Sequence, residues 1–174
     1  MVILKLLSKI VKALRSNQSP NQLAWGFVLG MIIGLTPFWN LHNIIIIILI
    51  IILNVNISMS IAGFIIFSLF AYIFDPLFHS IGYALLVNAK SLQPLWIYLS
   101  QKPVLAFLNF NNTVVLGSFL VSLVLLIPLF YAIRAGVLAY RGHWEERVRR
   151  LKVVQALTGS KVYSFYRKLR YLGE

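Results

Sequence analysis

Asp75 is the first acidic residue of the chain, and no other follows until Glu145. In so apolar a sequence a carboxylate marks a functional position by default, because an ionised group in hydrocarbon must find a partner. His79 comes four residues later, a spacing that on a helix puts its imidazole on the same face as the carboxylate, where the one orients the other. Asp75-Pro76 is also an ordinary helix start, the carboxylate capping and the proline opening the helix, and that structural reading ranks ahead of a chemical one. His42, flanked by Asn40 and Asn43, either lines a polar cavity or bonds backbone and headgroups. Asn54 and Asn56 read as helix caps or bonds across helices before ligand contacts. His42, Asn54, Asp75 and His79 are thus the candidate polar or headgroup contacts.

No catalytic signature accompanies them. The histidines at 42, 79 and 143 lack metal-ligand spacing, no glycine-rich loop ends in Lys-Ser or Lys-Thr, and no serine sits in a nucleophile elbow. Cysteine is absent, which removes disulfides, thiolate catalysis and cysteine metal sites. The expectation is a protein with no enzymatic activity, no metal and no cofactor.

The elements that must position these residues are helices built for lipid. Of 174 residues, 60% are hydrophobic and 11% charged, with a mean hydropathy of +0.85, well above soluble usage. Gly26, Gly30 and Gly34 recur every fourth residue between Leu23 and Pro37. That spacing lays a stripe without Cβ atoms along one helix face, where a second backbone can approach. It predicts close helix packing or a docking face for a partner, and internal packing is preferred because several helices are at hand.

The charge is segregated. Lys5, Lys9, Lys12 and Arg15 give residues 1–20 a charge of +4, residues 21–133 carry +1 and the remainder +7. Basic residues flanking membrane segments stay cytoplasmic, so both termini are predicted inside and the number of crossings even. Ile3, Leu6, Leu7, Ile10 and Leu14 share one helical face against Lys5, Lys9, Lys12 and Arg15, which predicts an amphipathic helix lying in the interface over 1–18 in preference to a signal peptide. Ser19 is placed as N-cap and Pro20 at the first helical position.

Residues 19–133 form the membrane domain. Leu23 to Phe38 is long enough to be a short crossing, while Leu41 to Leu53 reaches only about 20 Å against a hydrocarbon core of about 30 Å. Thr36-Pro37-Phe38-Trp39-Asn40 between them predicts a re-entrant hairpin or two short, tightly packed spans. Ile57 to Phe74 is a further span that Asp75-Pro76 should end, Leu77 to Val87 a shorter apolar piece, and Asn88 to Asn112 an amphipathic connection facing away from the cytoplasm. Thr113 to Ile133 is the clearest crossing, kinked at Pro128. Two or four transmembrane helices result.

Residues 134–174 return to an interfacial pattern. Trp144, Val148, Leu151, Val154 and Leu157 oppose a basic face, and the segment 161–172 mixes aromatics with cations. Arg147, Arg149, Arg150, Arg167, Lys168 and Arg170 are the predicted contacts to anionic lipid, each attracted by about 1 kcal/mol. Single-strand nucleic-acid binders also interleave cations and aromatics, but no fold motif for one is present, and nucleic acid is not an expected partner.

Ser19-Pro20, Ala24-Trp-Gly-Phe-Val-Leu-Gly30, Ile33-Gly34, Pro37, His42, Asn54, Asp75-Pro76 and Gly82-Tyr-Ala-Leu-Leu86 together resemble the bacterial membrane family labelled domain of unknown function 2062, over roughly residues 19–120. The stretches Thr36 to Asn43 and Phe110 to Ser118 resemble its conserved-hypothetical branch. The resemblance implies a bacterial inner-membrane protein working beside a large AsmA-like envelope protein, in the transport of phospholipid between inner and outer membrane. A small-solute transporter or channel subunit, and a purely structural scaffold, are the alternatives. The expected architecture is all-α, with broken or re-entrant short helices and amphipathic helices at both ends.

Overall fold

The computed structural model describes residues 2–103 and 107–144, and every regular element among them is helical. The main helices are α1 (Val2–Leu14), α2 (Pro20–Leu35), α3 (Leu41–Ile52), α4 (Ile57–Tyr83), α5 (Gln93–Ser100) and α6 (Thr113–Ala139). A π turn, Ala84–Asn88, extends α4, and another, Tyr140–Trp144, extends α6. With these turns α4 and α6 are the two described helices long and apolar enough to cross a membrane.

Local signals explain the boundaries. Ser19 caps α2 through a capping box in which its hydroxyl accepts from the Gln22 N–H, Gln22 Oε1 accepts from the Ser19 N–H, and Pro20 opens the first turn. Thr36 leaves α2 in an extended conformation, as a residue preceding proline must. Asn56 caps α4 and Asn112 caps α6, each side chain accepting from first-turn N–H groups. Asn54 takes a left-handed backbone, φ 50°, and turns the chain from α3 into α4.

Helix α2 is the centre of the molecule, buried along most of its length. Its glycines lie against α4. A Cβ on Gly26 would stand 2.5 Å from the carbonyl oxygen of Asn56, one on Gly34 would stand 2.6 Å from that of Phe64, and one on Gly30 would overlap the Ser60 carbonyl. Gly63 returns the contact on the Phe27 carbonyl. The pairs advance together along both chains, so α2 and α4 run parallel, and α3 is the short return strand of a helical hairpin between them. Helix α6 comes back antiparallel: Gly82 meets the Thr113 carbonyl and Gly117 the Phe78 carbonyl. Each seam is therefore relieved of Cβ atoms on both sides, which brings backbones within van der Waals reach.

Two boundaries differ from the sequence expectation. Asp75-Pro76 does not end the fourth helix, which continues unbroken to Tyr83 with Pro76 inside it. Proline removes one N–H and crowds the preceding turn, but Phe78 is buried and Gly82 sits on the backbone of α6, so packing beyond the proline holds the helix together. Likewise α6 runs past Arg134 to Ala139 with Pro128 inside.

The basic ends meet. The Arg141 side chain donates to the carbonyls of Leu14, Ser16 and Gln18, each at 2.9 Å, and satisfies the open end of α1. Arg134 Nε donates to Asn21 Oδ1 at 2.9 Å, and Arg15 Nε to the Tyr140 hydroxyl at 3.3 Å. The C-terminus of α1, the N-terminus of α2 and the C-terminus of α6 therefore share one end of the bundle.

Candidate functional site

At the opposite end of α2, the helix break at Pro37 gathers a knot of polar side chains. Asn43, almost fully buried on the first turn of α3, donates from Nδ2 to the carbonyls of Pro37 and Phe38 at 2.9 and 3.2 Å. Asn40 Nδ2 donates to the Pro37 carbonyl at 2.7 Å. The Thr36 hydroxyl lies 2.8 Å from both the Ile32 carbonyl and Asn43 Oδ1, and its single proton serves one of them at a time. Carbonyls freed by the broken helix are thereby paired, as backbone groups away from water require.

The turn before α6 closes over this knot. Asn109, with φ 55°, donates from Nδ2 to Asn40 Oδ1 at 2.5 Å, and the Leu41 N–H donates to the Phe107 carbonyl at 3.1 Å. Asn40 stands at the cap position of α3, but its side-chain amide is engaged by the Pro37 carbonyl and by Asn109, so the helix begins without a side-chain cap and the N–H groups of Leu41, Asn43 and Ile44 donate instead to the backbone carbonyls of Phe107 and Asn40.

His42 lies beneath the same turn. It is 4% exposed, and its ring packs against Phe119 and Phe110 with centroids 5.0 and 6.1 Å away. Both ring nitrogens are buried and neither has a hydrogen-bond partner among the described residues. Such a group costs about 1–3 kcal/mol where no partner arrives.

Two cavities flank the turn. One, of about 340 Å³, is bounded by Trp39, Asn40, Asn43, Ile44, Phe107 and Asn109 and runs from the start of α3 onto its isoleucine face. The other, of about 410 Å³, is bounded by Trp96, Ile97, Leu108, Phe110 and Asn111 among others. Residues 107–111 are the partition between them.

The remaining candidates disperse. Asp75 lies in mid-helix, partly exposed, and makes no hydrogen bond or ion pair among the described residues, so it is neither a helix cap nor the partner of His79. His79 Nδ1 shares a 2.7 Å hydrogen bond with Thr113 Oγ1, across the α4–α6 seam. Asn54 is exposed, and its carbonyl accepts from Gln22 Nε2 at 3.3 Å. Asn56 donates to Gln18 Oε1 in addition to capping α4. Gly26, Gly30 and Gly34 face α4 and are covered by it. Arg147, Arg149, Arg150, Arg167, Lys168 and Arg170 lie outside the described residues, as does all of the tail beyond Trp144. Among the described residues no group of three or more side chains is arranged to hold a metal ion.

Thr36, Asn109 and Phe110 belong to the site although sequence reasoning did not single them out. Asn109 sits in the run Asn109-Phe-Asn-Asn112, whose asparagines announce a turn, but its pairing with a residue 69 positions earlier has no local signal.

Neither the curated proteins nor the solved structures hold a match to this chain. A family model, described as "Uncharacterized protein conserved in bacteria (DUF2062)", matches residues 5–145. That span takes in α2, α3, α4 and α6 and every residue of the knot at the α2–α3 turn, and the chain belongs to the DUF2062 family.

Proposed function

We propose that this protein is an integral inner-membrane protein with both basic ends in the cytoplasm, and that it acts as the membrane-embedded partner of a large AsmA-like envelope protein in moving phospholipid between the inner and outer membranes. The observation that carries this reading is the mismatch of helix lengths. Helices α2 and α3, of 16 and 12 residues, reach about 24 and 18 Å, while α4 and α6, of 27 residues each, reach about 40 Å across a core of about 30 Å. Helix α3 turns Ile44, Ile47, Ile48, Ile51 and Ile52 outward, so lipid chains meet a hydrocarbon surface too short to match them. A short apolar helix is accommodated by thinning the bilayer, and a thinned bilayer beside two full-length helices lowers the work of drawing a lipid out. The gathered arginines at one end of the bundle suit the cytoplasmic headgroup layer.

Purification of the tagged full-length chain from native membranes in mild detergent, followed by mass spectrometry of bound protein and lipid, tests the partnership. Recovery of an AsmA-like protein together with phospholipid supports it. Recovery of the chain with neither counts against it.

A further inference from the structure

We infer that the exposed edge of α4 formed by Tyr72, Asp75, His79 and Tyr83 is the docking surface for a transmembrane helix of a partner protein, one that brings a lysine or arginine to the depth of Asp75. The inference rests on the membrane-embedded, partner-bound role proposed above and names the surface that holds the partner. Asp75 is the only charged residue between Arg15 and Lys90. It lies eighteen residues after Ile57, where α4 starts, about 27 Å along the helix from the basic end of the bundle. It is half-buried and makes no hydrogen bond or ion pair among the described residues. A carboxylate held at that depth is costly until a counter-charge reaches it.

Its neighbours add acceptors. The spacing of Tyr72, Asp75, His79 and Tyr83 keeps all four on one side of the helix, and Tyr72 is 85% and Tyr83 45% exposed. Neither tyrosine hydroxyl has a hydrogen-bond partner among the described residues. Pro76, inside α4, has no N–H to give the carbonyl of Tyr72, which a regular helix would pair with it. His79 could have served Asp75 by spacing, but its Nδ1 is engaged with Thr113 Oγ1 and its ring lies 5.9 Å from that of Tyr83. An ammonium with three N–H groups, or a guanidinium with five, meets this demand. It pairs with the carboxylate through charge-assisted hydrogen bonds and lies against the tyrosine rings.

Charge decides among the occupants. A second copy docked symmetrically would set Asp75 against Asp75, which repel. A second copy offset from the axis still keeps every residue at its own depth, and this chain has no cation at that of Asp75: Lys90 lies fifteen residues farther on, while Arg134 and Arg141 bond to the start of α2 and the end of α1 at the other end of the bundle. An acyl chain would leave the carboxylate unpaired. The glycine stripe is not open to a partner, because α4 covers Gly26, Gly30 and Gly34. From Tyr72 to Tyr83 the edge is about 17 Å long, three turns of a docked helix.

The test places the full-length protein in phospholipid vesicles with a synthetic leucine-rich transmembrane peptide that carries one lysine at the depth of Asp75 and photoactivatable leucines beside it, and maps the crosslinks after irradiation. Crosslinks are expected on residues 72–83. They should fall about tenfold when leucine replaces the peptide's lysine, and about tenfold with Asp75→Asn, while Asp75→Glu retains them. Asp75→Lys should reverse the preference toward a peptide bearing aspartate, and the Asn and Glu variants carry the test if that variant fails to fold. Crosslinks of equal strength from the all-leucine peptide, or crosslinks indifferent to Asp75→Asn, would overturn the inference. Crosslinks through 72–83 between two copies of the protein, with no peptide present, would give the surface to a second copy and overturn it as well. Capture of the lysine peptide at this edge, with no AsmA-like protein recovered from native membranes, supports the surface and removes the proposed partnership. Recovery of an AsmA-like protein undiminished by Asp75→Asn removes the surface and leaves the partnership standing.

Discussion

Gly30 rests directly on the backbone of Ser60, and this contact is the closest point of a parallel seam between α2 and α4. Two helices adjacent in space and parallel must be joined by something that returns, and α3 does so in 12 residues. The short hairpin, its exposed isoleucines and the polar turn at its tip all follow from the closeness of that seam. Without the glycines, α2 would stand off from α4, and the carbonyls at the helix break would lose the enclosure that keeps their amide partners in place.

Gly30→Ala places a methyl group on the Ser60 carbonyl and should destabilise the folded protein by about 3 kcal/mol or more, since two backbones rather than flexible side chains must give way. Gly136, in α6 and with nothing within 4 Å of its Cβ position, is the control. Gly136→Ala should be neutral or stabilising by about 0.5–1 kcal/mol. Thermal unfolding of both variants in one detergent reads the contrast, and equal effects would sink the seam.

Asp75→Asn should leave stability within about 0.5 kcal/mol of the parent, because Asp75 neither caps a helix nor forms an ion pair among the described residues. Asn56→Ala should cost about 1 kcal/mol through loss of the α4 cap, read in the same unfolding assay.

Replacing Arg141 with Met removes the donor to three carbonyls between α1 and α2. A cost of about 1.5–3 kcal/mol is expected for hydrogen bonds to a charged group, concentrated at the 14–18 linker. Limited proteolysis should therefore cut there faster in the variant, with the rest of the bundle still protected. Uniform acceleration of cleavage would instead mean that Arg141 supports the whole fold.

His42→Phe should be neutral or mildly stabilising in detergent, because an aromatic ring of similar shape fills the space between Phe110 and Phe119 and no buried nitrogen is left without a partner. A drop of 2 kcal/mol or more, on the order of a lost buried hydrogen bond, would show that the imidazole has a partner within the fold.

Much of the framework is legible in the residues. Ser19-Pro20 writes its own helix start, Thr36-Pro37 its own stop, and the apolar runs their own helices, because caps and prolines act on the nearest turn. Asp75-Pro76 carries the same local signals as Ser19-Pro20, yet there the helix runs through. The difference lies in Gly82 and Gly117, which lock the far half of α4 onto α6, and a contact between residues so distant leaves no mark near the proline. His42 was legible as a candidate from its residue type alone, but its burial under Phe110 and the Asn40–Asn109 tie depend on tertiary closure. The pairing expected of Asp75 and His79 fails because helical spacing permits a contact without requiring one, and Thr113 lies nearer to the imidazole.

Phospholipid movement in reconstituted vesicles tests the proposed role most directly. Fluorescent phospholipid placed in the inner leaflet and quenched from outside as it emerges should leave faster with the full-length protein present than in protein-free vesicles, and faster again when an AsmA-like partner is added. A rate equal to that of protein-free vesicles under both conditions would contradict the account.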